Sequence, residues 1–245
     1  MDTINIVLPN QLFENIKLIK KNKTYLIEEF LFFNHYKFHK QKILFHRLSM
    51  KIYNDFLLKS GMQTEYINSY DETSDIRLFI KSLNKNIKSI CIIDPCDYWF
   101  EKRLKKGCDD RNIKLVVLDN PSFLLTRSDL QDFFKKEKKK FFQTTFYKNQ
   151  RLKNNILITK DNKPEGGDWT YDVFNREKYP SKKNPPEIYY QKKDSYYVEA
   201  ENYVKKYFEF NHGDIVEKFI YPTSFDGAKK WLSLIHISEP TRPDE

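Results

Sequence analysis

Short apolar, β-branched runs alternate with helix-period stretches through the first half of the chain, and that alternation limits the fold more than any other feature. Residues 3–8, 24–28, 64–67, 88–94 and 113–118 each read as a strand. Within residues 41–60, Leu44, Leu48, Ile52 and Phe56 recur every fourth position, which predicts one helix; Gly61 is placed to stop it. Ser74 is placed to cap a helix carrying Ile76, Phe79, Ile80 and Leu83, and residues 98–106 read as another helix. Ser128 with Gln131 has the spacing of a capping box. Strands and helices joined by short connections predict an α/β fold, a Rossmann-like parallel sheet flanked by helices, over residues 1–135.

The pattern changes beyond that point. Residues 135–140 (KKEKKK) suit a helix surface or a joint. Residues 160–195 are rich in Lys, Asn, Pro and Gly and read as an extended linker, with turns at Gly166 and Gly167, at Pro180, and at Pro185 and Pro186. Helix periodicity returns over residues 197–210. Residues 136–232 are therefore expected to form a helical and extended interdomain linker.

A hydrophobic fraction of 40% and an aromatic fraction of 16% allow a substantial core. The formal net charge of +9 admits a polyanionic partner, yet lysines spread among Asn, Ile, Tyr and Phe read equally as solvated faces. Three cysteines, with no C-x-x-C pair, imply neither a disulfide framework nor a structural zinc. No run of about eighteen apolar residues occurs, and the first residues lack the layout of a signal peptide. A cytoplasmic, monomeric protein with no membrane partner is expected.

Motifs for common ligands are missing. The chain has six glycines, with no G-x-G-x-x-G after the first strand and no G-x-x-x-x-G-K. The first strand ends instead in Leu8-Pro9-Asn10-Gln11-Leu12. Parallel sheets place ligands outside the carboxyl ends of their strands, which nominates residues 9–12, 28–32 and 94–97. The amides of Asn10 and Gln11 suit a heteroaromatic ring edge or a polyol, and equally suit ordinary turn chemistry. His35, His39 and His46 fall four and seven residues apart with no further ligand at a metal spacing, so they read as core or helix-start hydrogen bonders. No G-x-S-x-G elbow and no carboxylate pair spaced for acid–base work is present.

Several stretches together resemble one family, the prokaryotic deoxyribodipyrimidine photolyase-related proteins, or iron–sulfur bacterial cryptochromes and photolyases, of the cryptochrome/photolyase superfamily. They are the Leu8-to-Leu12 turn, where the family usually has Asp in place of Asn10; residues 38–53 (FHKQKILFHRLSMKIY); residues 97–104 (DYWFEKRL); and residues 119–129 (DNPSFLLTRSD). Residues 166–172 (GGDWTYD), followed by Asn175, Arg176 and Pro180, resemble its G-G-x-W-x-(F/Y)-D-x-x-N-R signature. Residues 219–232 (FIYPTSFDGAKKWL) resemble the segment that leads into its catalytic half.

The resemblance implies an antenna-binding α/β domain that takes a ribityl-lumazine. Asn10, Gln11 and Leu12 would line the pocket, Glu28 and Glu29 would hydrogen-bond ring or ribityl hydroxyls, and Phe30 to Phe33 would stack on the ring. It implies a parent flavoprotein whose helical carboxy-terminal domain holds FAD, a 4Fe–4S cluster and damaged DNA, and repairs pyrimidine (6-4) photoproducts with light. Trp169 and Tyr171 are expected to pin the linker, with Arg176 paired to a carboxylate for the same purpose. The resemblance implies that the chain stops short of that helical domain, and none of its three cysteines matches the cluster ligands. FAD and the cluster are thus expected in the parent and not in this chain, which is expected to be inactive alone. Residues 232–243 (LSLIHISEPTRP) resemble a translated sequencing adapter, so residues 233–245 are read as a non-native tail. Two alternatives are a fragment of a signalling cryptochrome and a stand-alone module for a small heteroaromatic ligand.

Overall fold

The computed structural model describes residues 2–19, 22–137, 139–170, 182, 184 and 186–238. Tyr171, Asp172, Asn175, Arg176, Pro180 and Pro185 of the linker signature and turns, and residues 239–245 of the tail, lie outside the described residues. The chain divides into two units, Met1–Asn120 with Ile188–Lys229, and Pro121–Glu187 with Lys230–Glu245.

The first unit is built on β1 (Asp2–Val7), β2 (Thr24–Ile27), β3 (Thr64–Ile67), β4 (Ile87–Ile93) and β5 (Lys114–Leu118). They form one sheet in the order β3-β2-β1-β4-β5, with every pair parallel. This is the α/β fold expected from the alternating pattern. Side chains alternate across the sheet. Ile4, Ile6, Leu8, Ile27, Ile90 and Ile92 enter one core, while Val7 and Leu26 enter the other. Burial on both faces explains why these strands read as apolar runs.

Helices cover both faces. After α1 (Phe30–Phe33), α2 (Lys40–Lys59) buries Ile43, Leu44, Leu48, Met50 and Leu57 on one face. Each such side chain contributes roughly 1.5–3 kcal/mol through burial. The imidazole of His39 caps α2 by accepting from the Gln41 amide at 3.1 Å. At the other end Gly61 takes a φ of +78°, which only glycine adopts freely. On the opposite face lie α3 (Ile76–Ser82) and α4 (Tyr98–Asp110). They pack closely at Gly107, where an added Cβ would stand 2.7 Å from Cδ1 of Ile80. Arg111 donates to the carbonyls of Ile80, Lys81 and Leu83, which lie at the end of α3.

One cap differs from the sequence expectation. Asp75, not Ser74, caps α3, its carboxylate accepting from the Arg77 amide at 2.9 Å. A carboxylate is the stronger acceptor for a helix's free N–H groups, and Ser74 instead closes a short 3-10 turn and donates to the Ser69 carbonyl.

In the second unit α5 (Arg127–Phe133) and α6 (Gln143–Asn154) are joined by the lysine-rich stretch. The capping box of α5 is made by Thr126 and Asp129 rather than Ser128 and Gln131. Again a carboxylate supplies the reciprocal bond. Arg151 is buried and donates to the carbonyls of Ile156, Leu157, Asp168 and Trp169, which folds the loop after α6 back onto the helix. The first unit resumes with α7 (Ser195–Tyr207), capped by Asp194, and α8 (Phe225–Ser238) begins there. Among the described residues no helix is long and apolar enough to cross a membrane.

Candidate functional site

The chain winds from β1 to β2 and β3 on one side, then crosses to β4 and β5 on the other. The loops after β1 and β4 therefore leave the sheet toward opposite faces at its carboxyl edge, the position at which such sheets bind ligands.

That edge is tied together by side-chain amides. Gln11 is buried; its Nε2 donates to the Ile93 carbonyl at 2.5 Å and its Oε1 accepts from the Leu8 amide at 3.2 Å. Asn10 is exposed, and its Nδ2 donates to the Pro95 carbonyl at 3.1 Å. Asn120 donates to the Asp94 carbonyl at 2.8 Å, and the Asp94 carboxylate accepts from the Cys96 amide at 3.0 Å. Cys96 adopts a φ of +53°, a conformation few side-chain-bearing residues take. Leu12 is half-buried and packs against the core beneath α2.

The two glutamates after β2 are both fully buried. Glu28 accepts four hydrogen bonds. One oxygen takes Arg47 Nη1 at 2.9 Å and the Tyr66 hydroxyl at 2.7 Å; the other takes the Ser69 amide at 2.9 Å and the Tyr203 hydroxyl at 2.7 Å. Arg47 also donates to Glu199 and to Asn68, and lies 3.9 Å from the Tyr203 ring centroid. Burial opposes the charge on Arg47, but Glu199 and Glu28 outweigh it and its pKa rises. Burial and then Glu28 raise both tyrosine pKa values. This network joins β2, β3, α2 and α7 and occupies all the lone-pair positions of Glu28.

Glu29 turns to the other face. Its carboxylate caps α1 through the Leu31 amide at 2.7 Å and reaches the Ile76 amide at 3.3 Å. Burial raises its pKa to about 7, against the pull of those two amides. Phe30 is half-buried, edge-on to His35 at 6.0 Å and 5.9 Å from the Arg103 guanidinium.

Of the six nominated residues, Asn10 and Phe30 thus reach solvent, Leu12 lines the core, and Gln11, Glu28 and Glu29 hold the edge together. Sequence reasoning passed over Tyr98 and Trp99. They open α4 directly after the β4 loop, are 68% and 59% exposed, and stand edge-to-face at 5.4 Å. Two adjacent aromatics following a strand end and the capping residue Asp97 were the available signal.

The family described as deoxyribodipyrimidine photo-lyase-related protein matches residues 5–221. The chain is also similar to the uncharacterized protein R852 of Acanthamoeba polyphaga mimivirus, 34% identical over 198 residues, which span 74% of this chain and 97% of that relative. The match takes in the sheet, the capped helices that flank it and the Glu28 network: the chain belongs to the deoxyribodipyrimidine photo-lyase-related protein family.

Proposed function

We propose that the carboxyl edge of the sheet, at the switch point between β1 and β4, binds a flat heteroaromatic antenna of the ribityl-lumazine type, and that the chain is the light-harvesting part of a photolyase of the iron–sulfur bacterial group. The observation that carries this reading is the placement of exposed Tyr98 and Trp99 at the switch point of a parallel sheet. Exposed aromatics at a rigid edge stack on a planar ring. Asn10 is an exposed hydrogen-bonding group of the β1 loop, and Phe30 offers a further apolar face. Gln11, Glu28 and Glu29 hold this edge in shape, and Leu12 backs it from the core.

In the parent, FAD supplies the electron transfer that reverses pyrimidine (6-4) photoproducts, with damaged DNA held by the helical domain. This chain's part is to bind the antenna, orient it and keep water from one of its faces. A 4Fe–4S cluster does not fit these residues: it takes four thiolates, whereas the chain has three cysteines, of which Cys91 and Cys108 are buried in β4 and α4.

A second reading is a stand-alone module for the same class of ligand. It is favoured by the mimivirus relative, which matches over 97% of its own length. Titration with ribityl-lumazine, followed by ligand fluorescence, tests the binding claim common to both. Saturable binding that Trp99→Ala weakens about tenfold is expected, since one base-sized stacking contact is worth about 1–3 kcal/mol. No binding, or binding indifferent to Trp99, removes the antenna claim.

A further inference from the structure

Residues 133–153 hold eight Lys and Arg against Glu137 alone, a net +7 within a chain whose formal total is +9; the other 224 residues sum to +2. The positive charge is therefore concentrated, not spread as a solvating coat. Within the second unit this segment runs from the end of α5 through α6. Two of its cations are already committed: Arg151 to backbone carbonyls and Lys153 to Asp129. Lys135, Lys136, Lys139 and Lys140 are exposed, and among the described residues no carboxylate pairs with them.

Aromatic rings stand among these lysines. Phe133, Phe134, Phe141 and Phe146 pack on one another, with Phe133 and Phe146 centroids 4.7 Å apart and Phe134 and Phe141 5.1 Å apart. That packing fixes the two ends of the lysine loop. It leaves Phe142 64% exposed and Phe134 48% exposed, with Tyr147 exposed one turn further along α6. Lys148 on α6 lies 4.5 Å from the Trp169 ring centroid.

We infer that residues 133–137 and 139–153 form a binding surface for single-stranded nucleic acid, made of residues other than those proposed to hold the chromophore. Lysines along a loop neutralise a phosphate backbone, and rings held between them offer faces on which unpaired bases stack without regard to sequence. Charge alone would suit any polyanion. The exposed Phe134, Phe142 and Tyr147 among the lysines favour one that carries planar bases.

The test uses the full chain and a fluorescein-labelled oligo-dT, followed by anisotropy from low to moderate salt. The logarithm of affinity should fall with the logarithm of salt at a slope of about −3, as expected for four or five phosphate contacts on a single strand. Replacing Lys135, Lys136, Lys139 and Lys140 together by Gln should flatten the slope and weaken binding at least tenfold at low salt. Phe142→Ala should weaken binding about tenfold with the slope unchanged. Replacing Lys85, Lys88, Lys105 and Lys106 of the first unit by Gln should leave both slope and affinity unaltered. Unchanged thermal unfolding of the variants shows that the fold is intact. The assignment is overturned if oligo-dT does not bind, or if the two lysine sets weaken binding alike. It is equally overturned if Phe142→Ala has no effect while inorganic polyphosphate competes as well as oligo-dT, or if vesicles of anionic phospholipid bind in place of the oligonucleotide.

Discussion

The substitution Tyr203→Phe isolates the role of Glu28. The Tyr203 hydroxyl lies 2.7 Å from a Glu28 oxygen and 2.7 Å from the Ser69 hydroxyl, all within a buried cluster. Phenylalanine keeps the ring, its packing against Phe208 and its contact with the Arg47 guanidinium at 3.9 Å. It deletes only the hydroxyl, which donates to Glu28 and accepts from the Ser69 amide. A hydrogen bond to a charged group contributes about 1.5–3 kcal/mol, and that is the expected loss in urea unfolding, at unchanged m-value. At roughly 2–4 °C per kcal/mol for a chain of this size, the melting temperature should fall by about 3–12 °C. Glu28→Gln should cost more, about 3–5 kcal/mol, because it leaves the Arg47 charge buried and only partly matched by the half-exposed Glu199. In the Glu28→Gln background, Tyr203→Phe should cost at least ~1 kcal/mol less than it does alone, since contacting residues couple. If Tyr203→Phe costs under about 0.5 kcal/mol, or if the two losses simply add, Glu28 is not the buried hub and the account of how α7 is held fails.

Two buried groups should bend the pH dependence of stability in opposite directions. Burial, with Lys42 nearby, lowers the His46 pKa to about 4, so below about 6.5 the unfolded chain takes up a proton that the native state refuses, and stability falls as the pH drops toward 4. Glu29, raised by burial to about 7, holds its proton in the native state longer than when unfolded; the resulting stability is complete below about 4.5 and is lost as the pH rises through 7. Each effect approaches 3 kcal/mol at its limit, so stability should be nearly level between pH 4.5 and 6.5, should rise with pH in Glu29→Gln, and should fall with pH in His46→Leu; denaturation curves across that range that keep the same slope in all three proteins refute it. Arg151→Lys should destabilise the second unit by about 2–3 kcal/mol, because an ammonium cannot fork to four carbonyls; limited proteolysis after α6 should speed up, and an unchanged cleavage rate counts against the fork. Gly107→Ala should cost about 1–3 kcal/mol through overpacking against Ile80, read as a lower melting temperature; an unaltered one means that α3 and α4 have room to part.

The sheet was legible because strands buried on both faces leave continuous Ile and Val runs, and the register of α2 was legible because its apolar stripe is long. Caps were less so: Ser74 beside Asp75, and Ser128 beside Thr126, offer competing acceptors within one turn, and geometry decided for Asp75 in one case and Thr126 in the other. The partners that α7 supplies to the Glu28–Arg47 pair were beyond reach, since Tyr203, which donates to Glu28, and Glu199, which accepts from Arg47, come from a helix more than 150 residues away. Yet one part of the candidate site could have been sorted from strand geometry alone. Successive side chains on extended backbone point to opposite faces. Leu26 enters the core under α2 and Ile27 the core under α3 and α4. Continuing that alternation sends Glu28 toward α2 and Glu29 toward α3, where Arg47 and the Ile76 amide receive them. The period of two assigns the adjacent glutamates to opposite sides of the sheet, and it stops in the loops and first helical turns that follow the strands, where Tyr98 and Trp99 stand.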